Sequence, residues 1–177
     1  FRLSAGSALA VLPKWLVLHR GARYEQRTRV ELKEGCSLFL VDLISAGRNA
    51  FGEFLEYDRL MSSVDIKMDG RLILRERFAG GSSEKRWIWE SARRRRTHLA
   101  TAYISFPGAA TLCEKLLLES LNGEINGLDI GFSPLEEDFV VIRLFADSAL
   151  PVHATLMEIM ANIRQYSAAS QLYKRIF

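Results

Sequence analysis

Two acidic residues interrupt stretches that otherwise predict buried strands. Asp42 stands in the apolar run LFLVDLI, and Glu76 falls on the apolar side of the alternating run LILRERF. A carboxylate that faces a protein core is costly unless a partner or a function compensates for it. Carboxylate oxygens suit divalent cations, so inward-facing acids could line a polar passage. Pairing with an arginine such as Arg48 or Arg77 would explain the same positions without any metal.

A glycine-punctuated turn follows the first of these strands. Gly47 is free to adopt a positive φ angle, and Arg48 presents a planar fork of donors. Gly52 and Glu53 then open a new extended segment. The whole stretch 38–53 predicts a hairpin corner around a buried charge, and these four turn residues are candidates for a structural or partner-binding role.

Alternation of polar and apolar residues predicts the strands that must position these side chains. Residues 24–32 alternate cleanly, and a short connection leads from them to the strand 38–44, which predicts an antiparallel pair. Asp69-Gly70 stands between two alternating runs, a strong signal for a hairpin with a type I′ turn. Further strands are predicted near 99–106, 128–132 and 139–145.

Apolar residues recur at helical spacing twice, both times in the second half of the chain. One stripe predicts a helix over 109–121, and another predicts a helix over roughly 150–166. The second stripe consists of Val152, Leu156, Ile159, Met160 and Ile163. We therefore predict one domain, residues 1–177, that is mainly β and mostly antiparallel, with two α-helices in its C-terminal half.

Composition and motifs exclude several classes of function. The chain has 177 residues and a formal charge of +3, and it contains no apolar run that approaches a membrane span. It has no G-x-S-x-G elbow, P-loop or G-x-G-x-x-G, and its three histidines lack the spacing of a helix-borne zinc site. Cys36 and Cys113 are predicted to be buried free thiols in a reducing compartment. We predict that the protein is not an enzyme.

A basic run offers a different kind of function. Arg93–Arg96 follow Trp87 and Trp89 and a Gly-Ser stretch. Arginines can bind the phosphate backbone of a nucleic acid while neighbouring aromatic side chains stack on its bases. A solvated loop is the favoured interpretation, since the basic residues are contiguous in sequence rather than spread over a sheet face. A basic module that binds RNA or an acidic protein is the alternative function.

The ordered blocks of the sequence resemble those of one family. The order GARYEQRTRVEL, VDLISAGR, GE and LILRERF resembles the urease accessory protein D family, UreD or UreH, from Leu12 nearly to the end of the chain. The resemblance implies a layered, spiral β architecture and a cytoplasmic protein. It also implies that the amino-terminal third of the family is absent here, so this chain is expected to be a fragment with an exposed sheet edge. The sequence starts with Phe1 and shows no positively charged leader before a short apolar core, so no signal peptide is expected.

The resemblance also implies a function and partners. UreD proteins act as chaperones that scaffold the urease maturation complex with accessory protein F, the accessory GTPase G and apo-urease, and nickel is a transported ion rather than a tightly bound cofactor. Asp42 and Glu76 fall where the family carries Asp and Glu, so they are candidates for a nickel transit path. Neither nucleic acid nor a membrane is expected as a partner. The run Arg93–Arg96 departs from the family pattern.

Overall fold

A computed structural model describes residues 1–81, 96–120 and 127–165, without the side chains of residues 117–120. Predictions that concern Trp87, Trp89 and residues 93–95 lie outside these ranges. The described strands are β1 (Arg2–Leu3), β2 (Ala8–Val11), β3 (Leu16–Val17), β4 (Arg23–Leu32), β5 (Ser37–Ser45), β6 (Arg59–Met68), β7 (Arg71–Gly81), β8 (His98–Ser105), β9 (Leu128–Glu136) and β10 (Phe139–Ala146). The helices are α1 (Ala109–Ser120) and α2 (Ala149–Gln165), and a short 3-10 helix spans Asn49–Phe51.

The strands form two mixed sheets. Sheet A has the order β1-β4-β6-β7, so β7 lies at its edge among the described strands. Sheet B has the order β2-β5-β8-β10-β9, and β3 also pairs with β5. Strands β5, β8 and β10 are the inner strands of sheet B, and their near-continuous apolar sequences match burial on both faces.

Sheet B is the middle layer of the molecule. One of its faces packs against sheet A, through a core that joins Val30 and Ile66 of sheet A to Leu40 and Val141 of sheet B. The opposite face is covered by α1 and α2. The described part of the chain therefore has three layers, two of strands and one of helices, with an apolar core between the two sheets.

The predicted fold class is confirmed: the protein is mainly β, with two helices in its C-terminal half. The predicted antiparallel pairing of residues 24–32 with 38–44 is wrong. These strands, β4 and β5, lie in different sheets, and β4 pairs in parallel with both β1 and β6. The two strands differ in burial. One face of β4 is exposed to solvent, which suits the outer layer, whereas β5 is covered on both faces.

The local signals for turn and helix are confirmed. β6 and β7 form an antiparallel hairpin, and Asp69 and Gly70 have φ angles of 48° and 82°, as a type I′ turn requires. All five residues of the predicted stripe on α2 are buried. No helix in the described ranges is long and apolar enough to cross a membrane.

Candidate functional site

Glu76, one of the two acids singled out by the sequence, points into the space between the two sheets. Its Oε2 accepts a hydrogen bond from Arg143 Nη2 at 3.0 Å and another from Tyr103 Oη at 3.3 Å. Tyr103 lies on β8 and Arg143 on β10, both in sheet B, whereas Glu76 lies on β7 of sheet A. Glu76 therefore joins the two sheets through polar contacts, and the inward direction that its alternation predicts is correct.

Asp42, the other acid, points into the same space from sheet B. Residues Asp42, Thr101 and Arg143 are in register on β5, β8 and β10, so they form one row across the sheet. Asp42 Oδ1 accepts a hydrogen bond from Gln26 Nε2 of sheet A at 3.1 Å. Within the described ranges no arginine or lysine forms an ion pair with Asp42.

Burial raises the pKa of two members of this cluster, Asp42 and Tyr103. Loss of solvent raises the pKa of Asp42, the hydrogen bond from Gln26 opposes the rise, and the negative charge of Glu76 adds to it. Burial also raises the pKa of Tyr103, and the charges of Glu76 and Asp42 raise it further. Tyr103 consequently remains a hydrogen-bond donor at neutral pH. The charged form of Asp42 is held in an environment that disfavours it.

Both acids line one small cavity of about 20 Å³. Its wall consists of Asp42, Ile44, Ser62, Val64, Glu76, Phe78, Leu99, Thr101 and Tyr103. A space of this size holds roughly one water molecule. No set of three or more His, Cys, Asp or Glu side chains that could hold a metal ion occurs within the described ranges. The structure thus brings together the two predicted acids without further metal-binding side chains.

The arginines considered as partners of these acids are elsewhere. Arg77 binds Asp65, at 3.1 Å, and Arg48 binds Glu53. Arg143 is the partner of Glu76, and sequence reasoning missed it. The signal was present, because Arg143 interrupts the buried strand FVVIRLFA just as Asp42 interrupts its own.

The predicted corner has a buried acid, but that acid is Glu53. Arg48 Nε donates to Glu53 Oε2 at 2.8 Å, and Arg48 Nη2 contacts Glu53 Oε1. The Glu53 residue is only 7% exposed. The hydrogen bonds from Arg48 are the main cause that lowers the pKa of Glu53 to about 2. Burial of Glu53 acts in the opposite direction and raises the pKa, but by less. The stretch is not a hairpin, since β5 and β6 lie in different sheets, and it instead carries the chain from sheet B to sheet A.

The glycines of this corner meet a steric requirement. Gly47 has a φ angle of 151°, and a Cβ built on it would lie 2.6 Å from the carbonyl oxygen of Glu53. Gly52 follows the 3-10 helix with a φ angle of 76°, in the left-handed region. The Arg48 guanidinium lies 5.3 Å from the centre of the Phe51 ring, whose residue is 77% exposed. Gly47, Arg48, Gly52 and Glu53 thus form one unit.

Comparison with known proteins supplies the family. A family model described as UreD urease accessory protein matches residues 1–176. The chain belongs to the UreD family. A urease accessory protein UreD of Opitutus terrae is 35% identical over 166 residues, which are 93% of this chain and 60% of that protein. UreD of Sorangium cellulosum is 34% identical over 151 residues, 82% of this chain and 46% of the relative. The chain therefore spans about half to three fifths of these UreD proteins.

The basic run of this UreD chain is not wholly a solvated loop. Arg96, its last member, is 1% exposed, and its Nε lies 2.7 Å from Asp129 Oδ2. The prediction of a solvated loop is wrong for this residue, because the chain has already entered the interior two residues before β8 begins at His98. The other three arginines lie outside the described residues.

Glu53→Gln is expected to make the free energy of unfolding less sensitive to acid. The folded-state pKa of Glu53 lies below its ordinary value of 4.5, so the native state resists protonation. Stability from this group is present above pH 4.5 and is lost as the pH falls through about 2. Urea unfolding between pH 5 and 2 should show a shallower loss of stability in Glu53→Gln than in wild type. Exposed Glu34→Gln is the control, and equal slopes for Glu53→Gln and wild type would contradict the assignment.

Proposed function

We propose that this UreD chain works in urease maturation as a chaperone without catalytic activity. In this role it helps to hold apo-urease together with accessory protein F and the accessory GTPase G in the cytoplasm, and it helps nickel to reach the urease active site. Membership of the UreD family, whose members are urease accessory proteins, supports a role in maturation. Nickel is the cargo of this proposal, and no tightly bound cofactor is required.

The polar cluster between the sheets is the observation that carries the nickel proposal. Asp42 and Glu76 approach one cavity from different sheets, and Ser62, Thr101 and Tyr103 add polar groups to its wall. Glu76 is paired with Arg143, whereas burial of the Asp42 carboxylate without a cationic partner in the described ranges is costly. A divalent cation would relieve the burial cost of Asp42 directly, since no cation within the described ranges is paired with it.

The same cluster suits transit better than storage. Glu76 is already held by Arg143 and Tyr103, so an arriving cation competes with a guanidinium and a phenol for this carboxylate. Competition of this kind weakens binding, and a path that must release its ion requires weak binding. Asp42 would supply the first oxygen ligand, and Thr101, in register beside it, would add a hydroxyl to the path.

The alternative function, a basic module for RNA, receives less support. Arg96 points inward to Asp129, so at most three members of the run are left for a ligand. An acidic protein partner is a separate function, and the outward surface of sheet A supports it.

Complementation tests the maturation role. A urease-producing strain that lacks its own UreD is expected to regain urease activity, and nickel in the purified urease, when the complete protein that contains this chain is expressed with accessory proteins F and G. Pull-down of the tagged protein should retain accessory protein F and apo-urease. Urease that acquires its full nickel content without this protein, or fails to acquire any with it, would contradict the proposal.

A further inference from the structure

The outward surface of sheet A, here called the basic face, carries an excess of positive charge. It consists of the odd-numbered residues of β4 and β6 together with residues 75 and 77 of β7, which share one side of the sheet. Seven of these side chains are cations and three are carboxylates, an excess of four. Since the whole chain has a formal charge of +3, this one surface accounts for more than the entire positive excess.

The three carboxylates of the basic face are already engaged. Glu25 pairs with Arg27 at 2.6 Å, and Asp65 pairs with both Arg75 and Arg77. Glu31 pairs with Arg2 of the neighbouring strand β1 at 2.9 Å.

Other cations of the face have no carboxylate at ion-pair distance within the described ranges. Arg23, Arg29 and Lys67 belong to this group, and all three are exposed. Their uncompensated charge makes the surface attractive to an acidic ligand.

The basic face also has a shape that a ligand can enter. A groove of about 230 Å³ crosses β4, β6 and β7. Arg27 and Arg77 line it beside their partners Glu25 and Asp65, so Arg29 is the lining arginine without a carboxylate partner in the described ranges. Met61 contributes an apolar surface. Pockets for small molecules are usually larger, roughly 300–1,000 Å³. The volume therefore suits one or two side chains of a protein segment that lies along the strands.

We infer that the basic face docks an acidic segment of a partner protein, with its carboxylates on Arg23 and Arg29 and an apolar side chain beside Met61. The outward positions of β4 and β6 carry no aromatic side chain on which bases could stack, as sheet-type RNA-binding domains require. This inference rests on charge and shape, and it is independent of the nickel path.

Binding of a defined acidic peptide to the complete protein tests this inference. The probe is a fluorescein-labelled decapeptide of alternating glutamate and leucine, measured by anisotropy at low and at physiological salt. We expect it to bind more tightly than a lysine-leucine decapeptide, and its affinity should weaken as salt increases. The double variant Arg23→Ala/Arg29→Ala should bind about tenfold more weakly at low salt, the sum of two exposed ion pairs.

A matched variant removes the same charge elsewhere. Lys14 is exposed between β2 and β3, and Arg164 lies on α2, beyond sheet B from the basic face. Lys14→Ala/Arg164→Ala should bind the acidic peptide as wild type does. Equal weakening in both double variants, unchanged binding in Arg23→Ala/Arg29→Ala, or tighter binding of a 12-nucleotide single-stranded RNA than of the peptide would overturn the inference. Urease activation is not a readout here, so the maturation proposal is tested separately.

Discussion

Replacement of Asp42 by Asn is expected to raise the stability of the protein while it lowers urease activation at least tenfold. Asn keeps the hydrogen bond from Gln26, because its side-chain oxygen still accepts, but it removes the buried charge. Relief of a buried, unpaired carboxylate is worth on the order of 1 kcal/mol of unfolding free energy at pH 7. Loss of the negative oxygen removes the first proposed ligand of the nickel path. Thermal melts and activation assays on one preparation measure both effects.

The gain in stability should depend on pH with a definite sign. Burial raises the folded-state pKa of Asp42 above its ordinary value of 3.8, so the native state binds the proton more tightly than the unfolded state. Wild-type stability from this group therefore falls as the pH rises from 3.8 through the folded-state pKa. The advantage of Asp42→Asn should be absent below pH 3.8 and should grow above it.

Glu76→Gln provides the comparison for Asp42→Asn. Glu76 is paired, so loss of its charge weakens the bond from Arg143 and should cost about 1 kcal/mol, a modest amount because the Arg143 side chain is 40% exposed. Lower stability in both variants, with activation reduced only in proportion to the folded protein, would assign both acids to the structure and end the nickel-path proposal.

Gly47→Ala is expected to be among the most destabilising single changes in the segment between β5 and β6, where Gly47 is buried. A Cβ at this position would meet the Glu53 carbonyl oxygen at 2.6 Å, closer than real Cβ atoms come to backbone oxygen. The backbone between β5 and β6 must then shift, and with it the Arg48–Glu53 pair. We expect a loss of about 3 kcal/mol of unfolding free energy, to which clash and backbone strain both contribute. Urea unfolding at pH 7 measures the loss.

Gly52→Ala is the matched control in the same corner. Its φ angle of 76° also favours glycine, but a Cβ there would meet nothing within 4 Å. The change should therefore cost about 1 kcal/mol, the strain of a left-handed alanine alone. Equal losses at the two positions would show that backbone strain, rather than the contact with Glu53, makes Gly47 necessary.

The sequence by itself determined the features that depend on local patterns. Asp69-Gly70 fixed a type I′ hairpin because few residue pairs tolerate two positive φ angles in succession. The stripe of apolar residues on α2 specified its buried face, since helical periodicity relates sequence spacing directly to direction. For the same reason, strand alternation placed Glu76 on the inward side of β7.

The tertiary structure decided which elements meet, because strand pairing and ion pairing join residues that are distant in the chain. Alternation shows which face of a strand is buried but not which sheet it enters, so β4 and β5 were wrongly paired. The partner of Glu76 is Arg143, 67 residues away, rather than a nearby arginine. Thr101 separates Asp42 from Arg143 in the row across sheet B, and Arg143 pairs with Glu76. Asp42 therefore has no cationic partner in the described ranges. Packing of the two sheets, which no local pattern specifies, thus created the site.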